Sequence, residues 1–246
     1  MRIVLVTSSI TYAPNNYRDV LDFVLSRSKN HLVGVVLVDI NKGRMVTKIP
    51  YLYLAGCKNI AKTLFKNIIS SISKTKERML EKYAIPYINI SDVNNHTAVS
   101  WVNSLKPDIV INMRTRCIFK NKILNIPKLG CVNVHHGLLP KQRGLFCDLN
   151  ALAENKDTGF SIHKMVKKID RGSIYYTEKI KPERNYIKYL KTCAQKEKEA
   201  VVSFINKIDQ TGKLPTGTPN NCITPKITST PSLEQIKIFQ KKGMIL

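Results

Sequence analysis

Apolar residues fall at two spacings along this chain. Arg2 to Thr7 and Leu32 to Asp39 are near-continuous, β-branched runs of strand length, the pattern of strands buried on both faces of a sheet. Between them, Tyr17 to Leu25 repeats apolar residues at helical spacing, with Asn15 or Asn16 available as a cap. Strand, helix, strand is the opening of a parallel α/β sheet. The alternation persists: Tyr87 to Ile90 and Asp108 to Asn112 read as strands around a helix near Thr97 to Leu105, which stops before Lys106-Pro107. Cys131 to His135, Gly159 to Met165 and Ser173 to Thr177 follow as strands, and the polar helix Tyr186 to Ile208 packs back through its apolar stripe. The expected fold class is α/β: a mainly parallel twisted sheet with flanking helices and a short C-terminal appendage.

Between the second and third strands, Asn41 to Lys82 carries ten Lys/Arg and two Glu, with Ala61, Leu64, Phe65, Ile68, Ile69 and Ile72 three to four apart. It reads as an amphipathic basic helix, its charges solvated on the outer face or turned to an anionic partner. After Gln210 the chain is rich in Thr, Pro and Gly up to Thr230, and Pro231 to Gln235 then starts a short helix ending before Gly243. That segment is a linker with a terminal clasp. The expected division is a principal domain over 1–209 and a linker with a short helical tail over 210–246.

A chain of 246 residues with 43% apolar content can bury one substantial core. No stretch approaches the roughly 18 to 20 apolar residues that cross a bilayer, and Met1 to Thr7 looks like a first strand rather than an export signal. A cytoplasmic protein without membrane insertion is the expectation. The six cysteines are scattered without a CxxC pair, which suggests reduced, mostly buried thiols and no metal site. The net charge of +23 invites a nucleic-acid or anionic-membrane reading. The lysines are nevertheless spread along the chain, and a phosphate-bearing small substrate would benefit from the same field. No residue pattern specifies self-association; a homodimer would use a surface helix or the C-terminal tail.

The densest signal is Gly130-Cys131-Val132-Asn133-Val134-His135-His136-Gly137-Leu138-Leu139-Pro140-Lys141-Gln142-Arg143-Gly144, followed by Asp157-Thr158-Gly159 and Ile169-Asp170-Arg171-Gly172. In a strand, Asn133 and His135 project from one face and His136 from the other. This run resembles the formyltransferase family, with its Asn-x-His, Leu-Leu-Pro turn, Arg-Gly pair, downstream Thr-Gly strand and Asp-x-Gly loop, most strongly from Pro107 to Tyr176. The resemblance implies a 10-formyltetrahydrofolate-dependent enzyme with Asn133, His135 and Asp170 at the catalytic positions. It also implies that the loop Asn112-Met113-Arg114-Thr115-Arg116, with Met113, Arg114 and Arg116 its candidate residues, binds the folate through backbone and side chains. His163 is a candidate pocket-lining residue, and Arg143 either meets substrate anions or braces its loop.

The chemistry so implied is acyl transfer. A neutral amine attacks the formyl carbon, negative charge develops on the carbonyl oxygen, and donors must sit where that charge appears. Asn133 and His135 can supply them, while Asp170 orients His135 or a relaying water and favours the imidazolium. Among acceptors, the resemblance favours a nucleotide-linked amino sugar, from chain length, the Leu-Leu-Pro-x-x-Arg-Gly turn and the compact tail. Gly137 departs from the Ser of many members. The alternatives are initiator methionyl-tRNA, whose enzymes usually run on into a β-barrel; glycinamide ribonucleotide, whose enzymes begin with a glycine-rich loop where Thr7-Ser8-Ser9 stands here; and water, since formyltetrahydrofolate deformylases share a His-His pair like His135-His136. A non-catalytic polyanion-binding module on the same fold would be told apart by a steep salt dependence.

Overall fold

The computed structural model describes residues 1–221 and 227–246; Cys222 lies outside them. Five parallel strands, β1 (Ile3–Ser8), β2 (Leu32–Val38), β3 (Tyr87–Ile90), β4 (Ile109–Met113) and β5 (Gly130–His135), stand in the order β3-β2-β1-β4-β5. An Arg-Gly bridge strand, β6 (Arg143–Gly144), follows outside this sheet, and β7 (Thr158–Lys164) and β8 (Ile174–Ile180) extend the main sheet antiparallel beyond β5. The expected mainly parallel α/β sheet is what forms. Each face carries a helical layer, because β1 is apolar on both sides: Ile3 and Leu5 enter one core, Val4 and Val6 the other. The first core is closed by α1 (Arg18–Ser28) and by a 26-residue helix at Tyr186–Thr211; the second receives Ala98 and Val102 from the helix His96–Ser104.

The helix after β1 starts differently from expectation. Asn15 and Asn16 do not cap it with their side chains; they and Tyr17 adopt left-handed backbone (φ 51°, 54° and 64°). Asn16 is buried and acts within the loop instead, accepting from the Thr11 amide at 2.8 Å and donating to the Ser9 carbonyl at 2.8 Å. A side-chain amide has donor and acceptor capacity, so it serves a buried turn more completely than a helix end would require.

The basic segment is also not one helix. It breaks into α2 (Lys42–Val46), α3 (Lys48–Leu54), α4 (Lys58–Ile72) and α5 (Thr75–Lys82), with left-handed joints at Gly56 and Lys74. Only half of its apolar stripe turns inward. Ala61, Leu64 and Ile68 are buried, whereas Phe65, Ile69 and Ile72 are exposed. The inward face is fixed by Asn67, whose amide donates to the Thr11 and Ala13 carbonyls at 2.7 and 2.8 Å, and by Leu64 and Ile68 packing on Ile10 and Met45. Helices α2 to α4 therefore wall the space beyond the end of β1.

One lysine of this segment is not solvated. Lys76 is fully buried and its Nζ donates to the Ser8 carbonyl at 2.6 Å, satisfying the end of β1. Burial drives its pKa down to about 7. Between that value and the ordinary 10.5 of the unfolded chain, the unfolded state binds more protons, so this group makes stability rise with pH. Equilibrium unfolding of the wild type should accordingly gain stability relative to Lys76→Met from pH 7 to pH 10. An invariant difference across that window would show that Lys76 does not titrate there.

The C-terminal tail returns as a clasp. Strand β9 (Ile227–Thr228) pairs parallel with β6, the capping box of Ser232 and Gln235 starts the helix Leu233–Lys241, and Ile245 and Leu246 bond to Arg184, Tyr186 and Asn59. The approach of β9 to β6 needs Gly144 (φ +88°), since a Cβ there would lie 2.2 Å from the Thr228 carbonyl oxygen. Among the described residues no helix is long and apolar enough to cross a membrane.

Candidate active site

The order of the strands reverses at β1, with β2 on one side and β4 on the other, and the space outside the carboxyl ends at such a point is where open α/β sheets bind ligands. Register then builds a row across three strands: Asn112 on β4 is level with Asn133 on β5, and Asn133 with His163 on β7. Asn133 and His135 leave the opposite face of β5 from Val132 and Val134, which enter the main core.

The hydrogen bonds along this row have one possible polarity. His163 Nδ1 lies 2.8 Å from the Lys164 carbonyl, which only accepts, so Nδ1 carries the proton. Burial and the neighbouring His135 push the His163 pKa down to about 4, leaving the ring neutral at pH 7 with Nε2 as an acceptor. Asn133 must therefore present Nδ2 to it, at 3.3 Å, and turn Oδ1 to Asn112 Nδ2, at 2.8 Å. Asn112 Oδ1 in turn takes the Thr115 hydroxyl at 2.7 Å. The second hydrogen of Asn133 Nδ2 remains for a ligand. Asn112 and Thr115 belong to the stretch Asn112 to Arg116 that the resemblance assigns to the donor, and both line the larger cavity; their part in this row had no further signal than a polar residue in an otherwise buried strand.

Asp170 approaches from the loop after β7 with a left-handed backbone (φ 49°). One carboxylate oxygen accepts from the Gly144 amide at 3.0 Å, and the other lies 3.6 Å from both His135 Nδ1 and His163 Nε2. His135 Nε2 faces the Gln142 carbonyl at 2.8 Å and so donates there, leaving Nδ1 toward the carboxylate. Asn133, His135, His163 and Asp170 thus converge on one cavity of about 320 Å³, walled by apolar side chains such as Phe119, Met165 and Ile169. A second cavity of about 140 Å³ shares Asn133 and His135 with it and extends toward Ile10, Tyr12 and Met45. The shared edge offers an amide donor beside an imidazole–carboxylate pair, groups able to stabilise an oxyanion and relay a proton.

The three residues expected to hold a folate are separated by the structure. Met113 lies in the main core and lines neither cavity, because alternation along β4 turns it away from Asn112. Arg114 lines the second cavity and not the first, and it donates to His136 Nδ1 at 2.7 Å and stacks over Tyr17. His136 Nε2 stands against the buried Glu197, and Asp148 accepts from Tyr186 at 3.1 Å. Burial opposes charge on all these groups, yet the facing charges prevail: Arg114 is raised, while Glu197 and Asp148 are held low. Arg116 alone of the three lines both cavities. Arg143 braces its loop, donating to the Pro140 carbonyl and to Asn220 at 2.8 to 3.0 Å from a fully buried position.

Gly137 and Cys147 form a matched pair. A Cβ on Gly137 would lie 2.5 Å from Cys147 Sγ and 2.9 Å from His135 Nε2. The thiol occupies the room of a side chain at 137 and bonds the His136 carbonyl at 2.8 Å. Burial pushes this thiol's pKa well up, so it is no thiolate nucleophile despite its neighbour His135. Gly137→Ser is expected to displace His135, destabilising the fold by about 1–3 kcal/mol through overpacking and lowering turnover. Gly137→Ser with Cys147→Ala should recover most of both, and thermal melts with turnover assays of the two variants check it; equal damage in single and double variants would refute the pairing.

The sequence profile of the family described as formyl transferase matches residues 55–205. The methionyl-tRNA formyltransferase of Thermotoga maritima is 33% identical over 138 residues, covering 54% of this chain and 44% of that protein. The bifunctional polymyxin resistance protein ArnA of Wigglesworthia glossinidia brevipalpis is 42% identical over 113 residues, covering 45% of this chain and 17% of that one. The chain thus spans less than half the length of these curated relatives. In fold it is similar to a 4-N formyltransferase from Francisella tularensis, with a TM-score of 0.60 at 19% identity over 93% of this chain and 76% of that one.

Proposed function

The chain belongs to the formyl transferase family, and on that premise we propose that it moves a formyl group from 10-formyltetrahydrofolate to the primary amine of a nucleotide-linked amino sugar. The observation that carries this reading is the meeting of two cavities at Asn133 and His135, with Asp170 beside them. The larger, apolar-walled cavity suits the flat donor, and the smaller one suits a sugar-sized amine.

The amine nitrogen attacks the formyl carbon, and the carbonyl oxygen becomes an oxyanion facing the free hydrogen of Asn133 Nδ2. The ammonium proton passes toward His135 Nδ1 and Asp170, directly or through one water. The bond from carbon to the donor nitrogen then breaks, that nitrogen takes the proton, and the carbonyl reforms as a formamide. Met113 contributes core packing on the far face of β4 in this reading, Arg114 the charged floor of the acceptor cavity, and Arg116 the bridge between cavities.

Release of tetrahydrofolate from 10-formyltetrahydrofolate tests the reading, with nucleotide-linked amino sugars, glycinamide ribonucleotide, initiator methionyl-tRNA or no amine present. Release dependent on an amino sugar is expected. Equal release without acceptor would mean hydrolysis, dependence on tRNA or glycinamide ribonucleotide would reassign the acceptor, and no release in any arm would leave a binding module.

A further inference from the structure

We propose that Arg44, Lys48 and Arg116 seat a phosphate or diphosphate carried by the acceptor, at the mouth of the second cavity; this rests on the formyl-transfer reading above. The guanidinium of Arg116 lies against the rings of Tyr12 and Phe146, 5.4 and 5.5 Å from their centroids. Those rings meet edge to face at 6.0 Å, and the Tyr12 hydroxyl reaches Met45 Sδ at 3.9 Å. Tyr12, Met45, Phe146 and Arg116 all line the second cavity. Arg44 precedes Met45 in α2, and Lys48 opens α3 just across the Thr47 joint. Arg44 and Lys48 thus flank Met45, a residue of the cavity wall that Arg116 shares, one helical turn apart along α2 and α3.

Burial, then Arg116 and Arg44, pull the Lys48 pKa down. Among the described residues none of the three stands in an ion pair with a carboxylate. The contrast is with Arg114, which lines the same cavity and whose charge is met by Glu197. Like charges gathered around a concavity without a counter-charge destabilise each other, and a phosphate with charge-assisted hydrogen bonds relieves that repulsion. The anion belongs to the acceptor because Tyr12, Met45 and Ile40 line the second cavity and not the first. Arg44 and Lys48 precede the stretch matched by the family profile, 55–205, so the seat is read from this chain's own geometry.

Calorimetric titration of inorganic pyrophosphate into the full chain, at fixed ionic strength, tests the site without turnover. The wild type and Arg44→Lys/Lys48→Arg should bind alike, and Arg44→Gln/Lys48→Gln should bind roughly tenfold more weakly. A charge-matched control, Lys62→Gln/Lys66→Gln on the exposed side of α4, should stay within about twofold of wild type, since removing distant charges only weakens the screened field. No pyrophosphate binding by the wild type, equal weakening in the control, or displacement of 10-formyltetrahydrofolate by pyrophosphate would each overturn the proposal. The two readings fail separately. Pyrophosphate binding with no formyl transfer retires the reaction and keeps the anion seat, while transfer whose acceptor KM ignores Arg44→Gln/Lys48→Gln retires the seat and keeps the reaction.

Discussion

Asp170→Asn is expected to lower kcat for formyl transfer by about 10²- to 10⁴-fold, the range for removing a positioned acid–base group, with little change in thermal stability. The isosteric amide can still accept from the Gly144 amide, which Asp170 now engages at 3.0 Å, so the loop keeps its anchor. Its new amino group would then face His135 Nδ1 and His163 Nε2, where the carboxylate now stands at 3.6 Å. His163 Nε2 already accepts from Asn133, so the amino group is offered to His135 Nδ1, the ring nitrogen not engaged by the Gln142 carbonyl. The substitution would therefore satisfy the ground state while abolishing the negative charge that draws a proton from the attacking amine. His135→Ala should fall in the same range, and the two changes together should lose little more than either alone, because they act as a unit. Single-turnover tetrahydrofolate release at saturating donor measures this. Retention of activity within a few-fold in Asp170→Asn would remove Asp170 from the proton path.

Much of this site was legible without coordinates because its chemistry follows strand alternation. Period two alone put Asn133 and His135 on one face and His136 on the other, and His136 does reach away to Arg114 and Glu197. The same rule, applied to β4, sends Met113 into the core with Ile109 and Ile111 and leaves Asn112 on the cavity side. Family resemblance pointed to the stretch from Asn112 to Arg116, and backbone alternation decides that Asn112 and not Met113 turns to the cavity within it. Inter-strand register was illegible, since nothing local in Asn112, Asn133 or His163 says that they stand level. The breaks in the basic segment were hidden for a related reason. Its apolar spacing continues through α4, but the loop after β1 decides which half is covered, and that loop is contributed by residues some fifty positions earlier.

Asn112→Asp is expected to lower kcat by about 10²- to 10³-fold, the range for losing one oxyanion donor, although the residue touches no reacting atom. Its amide now donates to Asn133 Oδ1 at 2.8 Å, and a carboxylate there has no hydrogen to give. Asn133 would turn its Nδ2 toward the new charge, setting its Oδ1 against the acceptor Nε2 of His163 and withdrawing the hydrogen held for the oxyanion. A packing role would tolerate this near-isosteric change; an orienting role would not. The pH profile separates the two. A buried carboxyl without a cation has a raised pKa, and once protonated it can donate again. The ratio of variant to wild-type kcat should thus climb as pH falls, with the KM for 10-formyltetrahydrofolate nearly unchanged, and Thr115→Val should show a smaller loss without that climb. A ratio independent of pH would mean that Asn112 holds up the site wall and does not aim Asn133.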